Sequence, residues 1–196
     1  ILVAVVAIAT IFYSFQGGDD SAYAEEIQKE REEKDHFMRT SNESPFAQAS
    51  QSFKGLAYYP PDPKFKIQAD LNLIENKNVV VLTTNDGKQE HYLEYAYAEF
   101  DLDNLHHKLL ILEMMEMGPF RGKLFLAFGD ETSALETYGA GRYLDLSKVP
   151  GSTTITLDFN KAYNPYCAYN DTYSCPLPPT ENLLRVAIKA GEMSYH

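Results

Sequence analysis

Cysteine, histidine and basic residues are all scarce in this chain, and each shortage removes a class of function. Two cysteines, Cys167 and Cys175, cannot by themselves build a four-cysteine zinc site or an iron–sulfur cluster. The histidines are His36, His91, His106, His107 and His196, and no two of them make a His-x-x-x-His pair. His106 and His107 follow Asp101–Asn104 and read as solvated loop residues. No Gly-x-Ser-x-Gly elbow, no Gly-x-Gly-x-x-Gly fingerprint and no internal repeat is present. Lys and Arg total 17 against 28 Asp and Glu, a net charge of -11. A field of that sign repels phosphate backbones, so no nucleic-acid partner is expected. No cofactor and no metal is expected either.

What is there begins with one long apolar run. Residues 1–15 carry no charge, and as a helix they span roughly 22 Å against a hydrocarbon core of roughly 30 Å. Because the run opens on Ile, we expect a transmembrane anchor over residues 1–18, truncated at its start, that contacts membrane lipid through residues 1–15. The alternatives are a signal-peptide core, with Ala22 and Ala24 as a small-x-small pair ahead of a cut, or a buried core helix. Eight acids and three bases lie between Asp19 and Asp35. Cytoplasmic flanks favour Lys and Arg, so the bulk of the chain is expected outside the cytoplasmic membrane, in the periplasm if the host is bacterial.

Gly17–Gly18 is expected to break that anchor, with Asp20 or Ser21 capping a second, charged stalk helix within 19–40. Glu25–Lys29, Glu30–Lys34 and Arg31–Asp35 pair at i,i+4. Tyr23, Ile27 and Met38, with the stem of Lys34, leave a thin apolar stripe. Ser41–Pro45 stops the helix, and Tyr59–Pro63 is a rigid extended lead-in. From Phe65 the period becomes two: Phe65, Ile67, Ala69, Leu71 and Leu73 alternate with polar residues. Strands are predicted at Phe65–Leu73, Val79–Thr84, Gln89–Phe100, Lys108–Met115, Lys123–Phe128, Thr153–Phe159 and Leu183–Ala190. Turns fall at Asn85–Asp86–Gly87 and across Gly118–Gly122. The class is mainly β (α+β): an antiparallel twisted sheet, a sandwich or a partly open barrel over residues 41–196, carrying an N-terminal membrane helix and a charged stalk helix.

Three loops gather the polar chemistry. In 129–146, Asp130, Glu136, Tyr138 and Arg142 surround Gly139–Ala140–Gly141, and a Gly-x-Gly followed by Arg can cradle an anion. The plainer reading is a tight turn with an Arg–carboxylate pair holding two strands. In 158–170, Asp158, Asn160 and Asn164 hold turns while Tyr163, Tyr166 and Tyr169 wall a pocket or serve as core aromatics with their hydroxyls at its rim. In 175–182, three prolines fix an extended strap. Cys167 and Cys175 lie eight apart, the wrong spacing for paired redox or zinc cysteines. An oxidising compartment would join them in a disulfide, at roughly 2–3 kcal/mol. Two free buried thiols, or a metal ligand or nucleophile, are the other readings. Asn170–Asp171–Thr172 fits a glycosylation sequon.

These loops also carry a resemblance. Phe128–Thr132 with Glu136–Leu144, Leu157–Pro165 followed by Cys167–Ala168–Tyr169, and Cys175–Pro179 with Glu181–Asn182 resemble the family catalogued as DUF1684, over about residues 35–192. The resemblance implies that the three loops are the family's defining surface. It implies no catalytic assignment, because the family is uncharacterised.

Three functions follow as expectations. The first is a membrane-anchored extracytoplasmic accessory or interaction subunit of an envelope complex, with a membrane-protein partner. The second is a small-ligand-binding domain whose pocket lies between loops 129–146, 158–170 and 175–182, with Arg142 meeting an anionic group and tyrosines stacking. The third is a hydrolase using two of Asp130, Glu136, Asp145 and Asp158.

Overall fold

The computed structural model describes residues 2–47, 53–115 and 121–195, with residues 2–18 described by their backbone alone. The first element is one helix, α1 (Leu2–Thr40). It runs straight through Gly17–Gly18, so the expected break and the second N-cap do not form. Two glycines cost a helix interior only about 1 kcal/mol each relative to alanine, and no proline stands near them to remove a hydrogen bond. The side chains of the apolar run lie outside the described residues. Among the described residues no helix is long and apolar enough to cross a membrane.

From Tyr23 onward α1 lies on the β domain. Tyr23, Ile27, Arg31 and Met38 fall on one helical face and are buried. Ile27 alone contributes about 1.5–3 kcal/mol by leaving water. Polar contacts fix the docking. Tyr23 Oη donates to Asp158 Oδ1 (2.7 Å), Arg31 Nη1 to the Tyr59 carbonyl (2.9 Å) and Lys34 Nζ to Glu192 Oε2 (2.8 Å). The helix is therefore anchored along much of its second half, whereas the sequence shows only a thin stripe.

The domain is a curled antiparallel half-barrel. Its strands are β1 (Lys66–Leu73), β2 (Val79–Thr83), β3 (Gln89–Leu102), β4 (Leu105–Met114), β5 (Leu124–Phe128), β6 (Arg142–Leu146) and β7 (Thr154–Asp158). They pair in the order β6-β5-β4-β3-β1-β7, with β2 on β3. β3 is long enough to pair β2 through Gln89–Leu93 and β1 through Ala96–Glu99 on one edge, and β4 on the other. A register shift between Glu94 and Ala96 marks where it bends. Asp103 and Asn104, at φ 52° and 62°, turn β3 into β4 as a two-residue hairpin. This lengthens the strand pair past the loop expected there. His106 stays exposed beside Asp101, but His107 is buried within β4. Part of the turn expected at Gly118–Gly122 lies outside the described residues.

Strand alternation sorts the core onto two faces. Leu109, Ile111, Leu124, Leu126 and Phe128 join Phe100, Leu157 and Phe159 on one face. Leu110, Leu112, Phe125 and Ala127 join Tyr92 and Tyr143 on the other. The predicted last strand, Leu183–Ala190, keeps its period of two, with Leu184, Val186, Ile188 and Ala190 buried in the first face. It forms no strand beyond an isolated bridge between Gly129 and Leu183, and further along the Ile188 N–H and the Ile188 and Ala190 carbonyls bond the side chains of Asp130 and Arg142 instead of a ladder. Asn182 explains how the segment is held. β4 and β5 pair at Leu112↔Phe125, and one step further, where Leu110 would meet Ala127, the Asn182 amide is inserted instead. It accepts from Leu110 N–H (2.7 Å) and donates to the carbonyls of Leu110 (2.9 Å) and Ala127 (2.8 Å).

Candidate functional site

The second face of the sheet is covered by α1 and the 158–176 loop without being filled. Between them lies a cleft of about 700 Å3. Its walls are aromatic: Tyr92 from β3, Phe125 from β5, Tyr143 from β6, and Tyr163, Tyr166 and Tyr173 from the loop. Lys34, Phe37 and Met38 of α1 form the roof. Tyr92 stacks on Phe125 with centroids 5.4 Å apart, and Phe125 meets Tyr143 edge-on at 4.7 Å. Tyr143 meets Tyr163 edge-on at 5.9 Å. The loop is tied to the sheet at that point, since Tyr143 and Tyr163 exchange backbone hydrogen bonds of 2.8 and 3.0 Å.

The hydroxyls of Tyr92, Tyr143 and Tyr163 each have a partner. Tyr143 Oη donates to the Pro176 carbonyl (2.6 Å), Tyr163 Oη to Asp145 Oδ1 (2.8 Å) and Tyr92 Oη to Glu90 Oε2 (2.7 Å). Burial pushes the Tyr143 phenol far up, with the neighbouring thiols adding to it, and pushes Tyr163 up likewise, with Asp145 adding its charge. Both rings are neutral hydrogen-bond donors at any physiological pH.

The three loops meet around Tyr143, but the sequence-predicted residues divide among separate places. Tyr163 lines the cleft, as does Asp145. Arg142 precedes Tyr143 in β6 and so points to the opposite face, where it is 1% exposed. Its Nη2 donates to Asp130 Oδ2 (2.9 Å) and the Ile188 carbonyl (2.9 Å). Its Nη1 donates to the carbonyls of Ala190 and Glu192. These four acceptors take up the Nη donors, while the buried Nε has no hydrogen-bond partner among the described residues. Glu136, near the surface, accepts from Tyr59 Oη (3.0 Å) and pairs with Lys189 (3.0 Å). Those contacts, Lys189 first, hold its carboxyl below the usual range.

Asp158 caps the short turn Phe159–Lys161 and receives Tyr23. Asn160 bridges to the backbone of Asp62. Asn164 donates to Glu192 Oε1 (3.0 Å) and to the Met193 carbonyl (2.8 Å). Glu192 was not foreseen. It is fully buried and also takes Lys34 and the Tyr169 hydroxyl.

Cys167 and Cys175 are free, buried thiols, so the expected disulfide is not formed. The two lie side by side: the Cys167 N–H donates to Cys175 Sγ (3.2 Å) and Tyr138 Oη reaches Cys167 Sγ (3.8 Å). The contact between the thiols lowers the Cys167 pKa and raises that of Cys175. Among the described residues no group of three or more His, Cys, Asp or Glu side chains could hold a metal ion.

A family described as "Protein of unknown function (DUF1684)" matches residues 51–193. The chain belongs to the DUF1684 family. It is similar to an uncharacterised protein of Haloarcula marismortui, solved by solution NMR. The two are 36% identical and superpose with a TM-score of 0.67, over 90% of this chain and 96% of that one. No curated protein matches the chain. Within this DUF1684 chain the six cleft rings, Glu90 and Asp145 all fall inside the matched segment, whereas the roof residues Lys34, Phe37 and Met38 come from α1, before it begins. Reading 142–146 as a loop hid the key fact. As a strand it sends Arg142 and Leu144 to one face and Tyr143 and Asp145 to the other.

Proposed function

We propose that this DUF1684 protein is a small-ligand-binding protein whose ligand lies in the aromatic cleft between α1 and the second face of the sheet. The observation that carries this reading is a cleft of about 700 Å3 walled by six aromatic rings, within the range of about 300–1,000 Å3 usual for ligand pockets. The expected pocket between the three loops is thereby moved onto Tyr143 and the tyrosines of 163–173, and Arg142 is dropped from it.

The test is thermal stabilisation and chemical-shift mapping of the full chain against small amines, carboxylates, sugars and nucleotides. Binding should shift the resonances of Tyr143, Tyr163 and Phe125 together. If no member of the panel stabilises the protein or moves those resonances, the reading fails. The carboxylates of the hydrolase reading, Asp130, Glu136, Asp145 and Asp158, each hydrogen-bond a different partner: Arg142, Tyr59, Tyr163 and Tyr23.

A second reading is compatible with the first. Residues 2–15 of the charge-free run form the first part of α1, which continues unbroken to the helix face that roofs the cleft; this favours a membrane-tethered, extracytoplasmic accessory subunit presenting the cleft to a membrane-protein partner. Membrane fractionation followed by detergent extraction and affinity capture tests it. A monodisperse monomer recovered without detergent and without partners would count against it.

A further inference from the structure

We infer that the cleft takes an organic cation, an ammonium head group with aliphatic or aromatic substituents, held by Glu90, Asp145 and the surrounding ring faces. This rests on the cleft being a ligand site.

The argument starts from charge. Two cations stand at the cleft, and each is already neutralised: Lys34 Nζ lies 2.8 Å from Glu192, and Lys161 Nζ lies 2.6 Å from Glu30 and 3.5 Å from Glu26. Two carboxylates line the same space, and neither has a cation within 4.0 Å among the described residues. What Glu90 and Asp145 have instead is one tyrosine hydroxyl each, from Tyr92 and Tyr163. A hydroxyl satisfies one lone pair and supplies no counter-charge, and with Asp145 exposed and Glu90 half-buried both carboxylates are open to a cationic guest. The cleft therefore carries an excess of negative charge, in a protein whose net charge is -11.

The rings supply the second half. Tyrosine and phenylalanine faces are negative, and a cation within about 6 Å of a ring centroid is attracted to them. The cleft already holds one such contact, because the Lys34 ammonium lies 4.8 Å from the centroid of Tyr163. The phenols stay neutral, so they compete for no proton with an ammonium guest. The arginine that would have selected an anion is on the other face of the sheet, 1% exposed and already paired with Asp130. A quaternary ammonium suits these walls better than a primary amine, because it offers no N–H to satisfy and sheds its water more readily.

The experiment uses charged and neutral isosteres on the full chain. Choline is compared with 3,3-dimethylbutan-1-ol, and benzyltrimethylammonium with neopentylbenzene, by calorimetry or ligand-observed NMR. The cation of each pair should bind about tenfold tighter or more, and the advantage should shrink as salt is raised. The double variant Glu90→Gln/Asp145→Asn keeps both side-chain shapes and should cut that advantage to what the ring faces alone supply, while leaving the affinity for the neutral isostere unchanged. The salt dependence of the unmodified chain tests the same point should the variant not fold. If the neutral isosteres or benzoate bind as well as the cations, the cation assignment is overturned and the cleft remains a ligand site. If none of these probes binds, both are overturned.

Discussion

Replacing Arg142 with methionine separates a ligand-facing arginine from one built into the core. The guanidinium is 1% exposed and serves four acceptors: Asp130, and the carbonyls of Ile188, Ala190 and Glu192. Methionine keeps most of the apolar stem, so little cavity results. The loss is electrostatic. Asp130 keeps hydrogen bonds from Thr132 N–H (2.7 Å), Thr132 Oγ1 (2.6 Å) and Ile188 N–H (3.3 Å), but its charge loses its counter-ion. Removing one partner of a buried pair costs about 3–5 kcal/mol. Three carbonyls left without this donor add about 1 kcal/mol each at most, since some relax toward water. A total near 4–7 kcal/mol is a large share of the 5–15 kcal/mol that holds a typical domain.

The assay is urea unfolding followed by circular dichroism, with thermal melting beside it. A chain of this size should lose at least about 10 °C in Tm. Adding Asp130→Asn to Arg142→Met should return part of the loss, because the stranded charge is then gone. A penalty under about 1 kcal/mol for Arg142→Met would refute the reasoning, since that is the cost of an exposed side chain.

Three further outcomes are expected. Asn182→Leu empties the three hydrogen bonds that replace a ladder step between β4 and β5, and should cost about 2–4 kcal/mol in urea unfolding. Burial would raise the Glu113 carboxyl, but Lys148 and Lys77 outweigh it and hold it below its ordinary value. Its contribution is therefore fully present above the unfolded carboxylate pKa of about 4.3 and is lost as pH falls through the depressed folded value, so wild type and Glu113→Gln should converge in stability only in strong acid. Under denaturing, non-reducing conditions two thiols should titrate, whereas the native protein should react slowly at both.

What local pattern governs was legible, and what depends on distant partners was not. β1 and β7 were readable within a residue or so because each buries alternate side chains against one core. Asp86–Gly87 marked its turn because only a few residue types suit that backbone. The helix through Gly17–Gly18 was not readable, because a glycine pair signals a break and a tolerated weak point equally well. β6 was missed because Gly139–Ala140–Gly141 makes its approach look like loop, although Arg142–Tyr143–Leu144–Asp145 alternates. The tail from Leu184 to Ala190 has a strand's periodicity without a strand's ladder. The carbonyls of Ile188 and Ala190 go to a single guanidinium, which no one-dimensional pattern reveals. The candidate site suffered most from this. Arg142 and Tyr143 are adjacent in sequence and lie on opposite faces, so the more chemically expressive residue of the two points away from the cleft.

That division gives the tail a part in both faces. Leu184, Val186, Ile188 and Ala190 close the first core, and Arg142 gathers the backbone there. Two residues past Ala190 the chain places Glu192, fully buried, against Lys34 of α1, the backbone and amide of Asn164 and the hydroxyl of Tyr169. Lys34 is thereby held over Tyr163, where it forms part of the cleft roof. A buried carboxylate stripped of its lysine is costly, so the helix cannot lift from the cleft at this point without exposing or stranding Glu192. The spacing between the roof and the aromatic wall is thus set by a residue that touches no part of the cleft floor. Substitutions in the tail should change the shape of the cleft before they change its chemistry, whereas substitutions at Glu90 and Asp145 should change its chemistry alone.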